Sequence, residues 1–132
     1  MNKVYEAFFL PESCEPFVGK LGNQIRYQHV TTAFKPDILH SELYGWHARF
    51  KVIGYANDGK NEGYLVKMIS TDNDYLWDQY YGVTVPPHLT ISVANGAYPK
   101  DTANLSFEPV YDGEEFDTVF GAFDMETGKV IF

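Results

Sequence analysis

The sequence predicts a strand-dominated α+β domain with few, short helices. Three observations carry that prediction. Apolar runs are short and rich in β-branched and aromatic residues, with ten Phe and ten Tyr among 132 residues, and such side chains suit a pleated, half-buried surface. Turn signals interrupt the chain repeatedly and leave little room for long helical periods. No low-complexity linker or compositional break divides the chain, so residues 1–132 read as one domain of a size that can bury a substantial core.

Each element follows from local chemistry. KVYEAFFLP reads as a first strand ended by Pro11. Residues 12–20, punctuated by Glu12, Pro16 and Gly19, form a short helix or a turn. Asn23 turns the chain into a strand over about residues 24–34, which Lys35-Pro36-Asp37 stops. RFKVIGYA and GYLVKMIS flank Asn57-Asp58-Gly59 and so make a hairpin. LWDQYYG, with Asp72, Asn73 or Asp74 as its cap, is the best helix candidate. Pro86-Pro87 delivers the chain extended into the strand HLTISV, because the residue before a proline avoids the α region. NGAYPKDTAN is a loop, LSFEPV a short strand, YDGEE a turn, and TVFGAFDMETGKVIF a closing hairpin about Glu126-Thr127-Gly128.

The one internal repetition lies in two of these strands. His29-Val30-Thr31 and His88-Leu89-Thr90 each set an imidazole and a hydroxyl two residues apart in an apolar run. A strand sends residues i and i+2 to one face, so each strand presents one imidazole beside one hydroxyl. Val30, Thr32 and Phe34, and Leu89, Ile91 and Val93, then point the other way, toward a core. A single His-x-Thr carries almost no information; two by accident arise in roughly one such chain in forty. Facing each other across a cleft, the pair supplies one imidazole to take a proton, one to give it, and two hydroxyls to hold an oxyanion.

On these two motifs the chain resembles the two-histidine (2H) phosphoesterase superfamily, whose signature is a pair of His-x-Thr/Ser motifs among hydrophobic residues. Its members act on RNA with 2′,3′-cyclic phosphate ends, on ADP-ribose cyclic phosphate and on 2′-5′ oligoadenylates. Some phage members destroy cyclic oligonucleotide defence signals. The resemblance implies a two-lobed fold with pseudo-twofold antiparallel sheets around a central cleft, and phosphodiester cleavage without a metal or other cofactor. It covers His29, Thr31, His88 and Thr90 as catalytic residues. The motifs lie closer together than in larger members, which leaves the substrate subclass open. A small cyclic or short oligonucleotide is the preferred substrate, an RNA 2′,3′-cyclic end the alternative, and a non-catalytic protein that sequesters a nucleotide the reading from another class.

Charge and composition bound the partners. A formal charge of −8 argues against binding long nucleic acid, which draws on many cations, whereas a few local donors can hold a compact nucleotide. No apolar run reaches the length of a membrane span or carries a signal peptide's cleavage pattern, and Cys14 is a single cysteine. The expected location is therefore the cytoplasm, the host's for a viral chain. Tyr44, Trp46, Trp77, Tyr81 and Tyr98 are the candidates for stacking a base. Arg26, Lys35, Arg49, Lys67 and Lys100 are the scarce cations able to meet a second phosphate.

Other constellations have plainer readings. Gly54-Tyr-Ala-Asn-Asp-Gly59-Lys60 imitates a phosphate loop, but Asn61 stands where Ser or Thr would hold magnesium, so a hairpin tip is simpler. His40 and His47 fit no tight zinc spacing. The acidic groups near residues 72–74 and 114–117 read as solvated loop charge.

Overall fold

In a computed structural model, residues 3–132 are described, and they fold as a strand-rich α+β domain. The strands are β1 (Val4–Phe9), β2 (Asn23–Gln24), β3 (His29–Phe34), β4 (His47–Asn57), β5 (Asn61–Thr71), β6 (His88–Val93), β7 (Glu108–Pro109), β8 (Glu115–Asp124) and β9 (Lys129–Ile131). One α-helix, α1 (Leu76–Tyr81), and short 3₁₀ turns at Ser41–Leu43 and Pro99–Asn104 complete the described elements. Among the described residues no helix is long and apolar enough to cross a membrane.

All nine strands belong to one antiparallel sheet, in the order β2-β6-β5-β4-β8-β1-β3, with β7 beside β4 and β9 beside β8. The two expected lobes are halves of this sheet rather than separate sheets. Their symmetry is visible in the order: outward from the β4–β8 pair run β5 and β6 on one side, β1 and β3 on the other. β4 and β8 pair only over His47–Lys51 and Glu115–Val119, then part. Beyond that crossing β7 lines β4 at Gly54 and Tyr55, and β9 lines β8 at Ala122–Asp124.

The register repeats residue by residue. In one lobe Phe9 faces His29, Phe8 Val30, Ala7 Thr31 and Glu6 Ala33. In the other, Leu65 faces His88, Tyr64 Leu89, Gly63 Thr90 and Glu62 Ser92. Both ladders slip by one residue just after the motif threonine, leaving Thr32 and Ile91 without a partner opposite. Such bulges re-aim side chains. This corrects one expectation: Thr32 and Phe34 do not join the core, because the bulge shifts the alternation and turns them toward the cleft, with Phe34 65% exposed.

Val30, Leu89, Ile91 and Val93 do lie buried. Of these, Val30, Leu89 and Ile91 join Phe8, Phe50, Val66, Met68, Phe116 and Phe120 in the core face, which Leu76 of α1 covers, whereas Val93 is buried outside that cluster. The strand expected over 24–34 is interrupted. Ile25 N–H still bonds the Ile91 carbonyl at 3.0 Å, yet Gln28 O already accepts from Leu10 N–H at 2.9 Å, so residues 25–28 cross from one lobe to the other. Residues 12–20 take no helix, since side chains hold that backbone instead: Gln28 pairs with both the N–H and the carbonyl of Phe17, and Glu62 accepts from Lys20 N–H. Within the expected loop 95–104 lies the 3₁₀ turn Pro99–Asn104, and of LSFEPV only Glu108–Pro109 pairs as strand.

Each lobe also buries one glutamate. Glu6 is 0% exposed and accepts from His40 N–H, the His40 imidazole and Tyr44 O–H at 2.7–2.8 Å. Glu62, 2% exposed, accepts from Tyr55 O–H, Ser92 O–H and Lys20 N–H. A carboxylate out of water needs such donors. In sequence these two residues gave no functional sign, and the fold shows them as equivalent latches that tie a flanking loop to each half.

Candidate functional site

The motif strands β3 and β6 approach each other although neither pairs with the other. Between them opens a cleft of about 600 Å³, within the range of small-molecule sites. His29, Thr31, His88 and Thr90 all line it. The register explains why: directly opposed residues share a face, so His29 and Thr31 stand on the side of Phe9 and Ala7, away from the Phe8–Val30 core pair.

The two imidazoles are held identically. His29 Nδ1 bonds the Tyr27 carbonyl, and His88 Nδ1 bonds the Pro86 carbonyl at 2.8 Å. A carbonyl only accepts, so Nδ1 carries the hydrogen in both rings and Nε2 is the nitrogen left for chemistry. Pro86-Pro87 thus contributes the tether as well as the extended approach to His88. The rings differ in surroundings. His29 packs against Tyr5 and Phe9, with centroids 5.0 and 5.5 Å away. Burial lowers its pKa below the ordinary 6.5 and outweighs the opposing effect of its bond to Tyr27, and the nearby charge of His88 adds a smaller push downward.

The hydroxyls differ more. Among the described residues Thr31 O–H has no hydrogen-bond partner, whereas Thr90 Oγ1 lies 2.9 Å from Thr102 Oγ1 and 3.2 Å from the Pro99 carbonyl. Thr102 is 0% exposed and accepts from Asn61 Nδ2 at 3.1 Å. Gly63 makes this contact possible, since a Cβ there would fall 2.5 Å from Thr102 Cγ2. Thr90 O–H donates to these buried acceptors, Thr102 Oγ1 and the Pro99 carbonyl, so its hydrogen points into the protein while its oxygen is held at the edge of the cleft.

The rest of the wall was not legible as such. Tyr5, Thr32 and Phe34 come from the β1–β3 half, Val83, Thr84 and Val85 precede His88, and Pro99, Lys100 and Ala103 come from the 3₁₀ turn. Burial raises the Tyr5 phenol to about 12, so it stays a neutral donor. No Asp or Glu lines the cleft among the described residues, although the chain carries eight net negative charges.

Most of the aromatics expected to stack a base lie elsewhere. Tyr44 donates to Glu6 and packs 5.8 Å from Phe120. Trp77 packs against the core and, 5.8 Å away, against Tyr81, while Trp46 is exposed outside the cleft wall. The apolar face of α1 is spent on the core, which removes Trp77 from the site. Tyr98 is exposed next to the lining residues Pro99 and Lys100, at the rim. Tyr5 and Phe34 are the aromatics of the wall itself.

The other singled-out residues have structural partners. His40 bonds Glu6 and His47 bonds Asp117, both at 2.8 Å. Gly59, at φ +85°, turns the β4–β5 hairpin where the sequence imitates a phosphate loop. Among the described residues no three His, Cys, Asp or Glu side chains gather as metal ligands. Comparison with family models, with curated proteins and with solved structures finds no match for this chain.

Proposed function

We propose that this protein is a metal-independent phosphodiesterase of the two-histidine type, acting on a small cyclic or short oligonucleotide. The observation that carries the reading is that two imidazoles from pseudo-equivalent strands line one cleft, each tethered through Nδ1 to the carbonyl two residues before it. His29, desolvated and biased toward its neutral form, is the base; His88 is the acid.

On a cyclic phosphate, His29 Nε2 takes a proton from water as the water oxygen bonds phosphorus. His88 Nε2–H gives its proton to the departing ribose oxygen as that P–O bond breaks. With a ribose 2′-hydroxyl as nucleophile the same transfers cut a neighbouring linkage and leave a cyclic phosphate. Thr31 and Thr90 donate to the non-bridging oxygens as charge develops.

Incubation with cyclic mono-, di- and trinucleotides and 2′,3′-cyclic ends in EDTA, with products identified by mass, tests the reading. Cleavage of at least one is expected; a nucleotide bound tightly and recovered intact would replace the enzyme by a sequestering protein. Turnover should follow a bell in pH. Its rising limb lies below 6.5, where His29 loses its proton, and it falls again once the pair no longer holds a proton to donate. A rate flat from pH 5 to 8 would contradict the assignment.

Thr90 Oγ1 is positioned by Thr102 Oγ1 and the Pro99 carbonyl, and its hydrogen turns from them to the phosphate when substrate binds. Thr102→Val keeps the shape but removes one of the two acceptors that set the Thr90 rotamer, and kcat is expected to drop about tenfold at unchanged KM, one neutral hydrogen bond's worth. Thr102→Ser should restore it. An unchanged kcat in Thr102→Val would show that Thr90 orients itself.

A further inference from the structure

The two halves match in strand register, histidine tether, bulge and buried glutamate, yet one feature belongs to a single half. The 3₁₀ turn Pro99–Asn104 packs chiefly on β5 and β6. It is firmly seated: Thr102 is wholly buried over Gly63, and Asn61 Nδ2 bonds both Thr102 Oγ1 and the Tyr98 carbonyl, the latter at 2.8 Å. A fixed element of this kind presents whatever it carries at a defined place. It carries Lys100.

Lys100 is the one Lys or Arg among the described lining residues, in a wall without carboxylates. Its ammonium rests 5.7 Å from the centroid of the Tyr98 ring. Tyr98 is 64% exposed and stands outside the cleft wall. The positive charge therefore lies at the rim on the His88 side, not between the imidazoles. Other cations are spent differently: Arg49 bonds Glu115 at 3.2 Å, and Arg26 lies over Tyr27. Lys35 lies over Phe34 on the opposite rim without lining the cleft.

We infer that Lys100 forms a second phosphate subsite beside the His88 half of the cleft, so that the favoured ligand is a nucleotide with two phosphodiester groups, one between the imidazoles and one at the rim. The ammonium exchanges its weak contact with Tyr98 for a charge-assisted bond to the phosphate. The inference rests on reading the cleft as a nucleotide site. It separates the two substrate subclasses, because a 2′,3′-cyclic mononucleotide has nothing to place at the rim.

The test measures binding and turnover separately. Dissociation constants of a 3′-5′ cyclic dinucleotide and of a 2′,3′-cyclic mononucleotide with the same base are determined by calorimetry for the His88→Ala protein, with and without Lys100→Gln. Steady-state rates on both ligands are taken for the parent and for Lys100→Gln. Lys100→Gln is expected to weaken the dinucleotide about tenfold more than the mononucleotide, to raise KM for the dinucleotide in proportion, and to exceed the effect of Lys35→Gln. Equal loss on both ligands would move Lys100 to the scissile phosphate and overturn the second subsite while the acid–base reading stands. No loss on either would overturn it outright. Selective loss of binding in a parent that cleaves neither ligand would uphold the subsite and refute the phosphodiesterase.

Discussion

His88→Ala is expected to lower kcat by about a thousandfold, and His29→Ala by a similar factor, each measured on whichever substrate the parent cleaves best. The size follows from the role proposed for each ring. In the proposed mechanism the leaving ribose oxygen would depart as an unprotonated alkoxide without His88, and the nucleophile would keep its proton until it had bonded phosphorus without His29. Because the two transfers belong to one event, the double variant should be little slower than either single one. The pH profiles should separate the roles. His29→Ala should lose the rising limb of the bell and keep the falling one, and His88→Ala the reverse. Among the described residues the His88 ring has one hydrogen bond, to the Pro86 carbonyl, so its removal should leave the thermal midpoint within a few degrees of the parent. His29 sits against Tyr5 and Phe9, so its circular dichroism and midpoint need checking before its rate is interpreted. Turnover near the parent's in either folded variant would refute the assignment.

The site was legible to the extent that strand periodicity reports it. Two residues of spacing place His29 with Thr31 and His88 with Thr90, and the apolar residues between them, Val30 and Leu89, are buried as that alternation requires. The alternation fails one residue later. Nothing in HVTTAF announces that Thr32 stands unpaired opposite β1, and that single slip converts Phe34 from an expected core residue into cleft wall. Nor does the sequence show that the halves match beyond the motifs. Glu6-Ala7-Phe8-Phe9 and Glu62-Gly63-Tyr64-Leu65 become equivalent only once each is laid against its motif strand. Pairing between distant strands is tertiary information. The aromatics were misplaced for a related reason: LWDQYYG was rightly read as a helix, but which neighbour its apolar face meets is decided by the sheet, and it meets the core.

The symmetry of those glutamates leads to the second large effect, on stability rather than rate. Glu62 accepts Ser92 O–H and Lys20 N–H on Oε1, at 2.7 Å each, and Tyr55 O–H on Oε2. Burial alone would raise its pKa, but these bonds, with the charge of Lys20, outweigh burial and hold it below the usual 4.5. A depressed carboxyl stabilises the fold above its unfolded value, and that contribution is lost as pH falls below 4.5 through the lower folded value. Glu62→Ala strands three donors in a buried place and is expected to cost about 3 kcal/mol or more, which lowers the thermal midpoint by about 10 °C. Glu62→Gln is milder, about 1–2 kcal/mol, since its oxygen can still serve Ser92 and Lys20 while its amide donates to the Tyr55 oxygen. It has no proton to gain, so its denaturation midpoint should change less than the parent's as pH drops from 5 toward 3. Gly19 sharpens the point, because a Cβ there would come 2.5 Å from Glu62 Oε1: the loop bearing Lys20 is pressed onto this carboxylate. Parallel acid limbs for the parent and Glu62→Gln, measured by urea denaturation, would show that Glu62 is not the group that titrates.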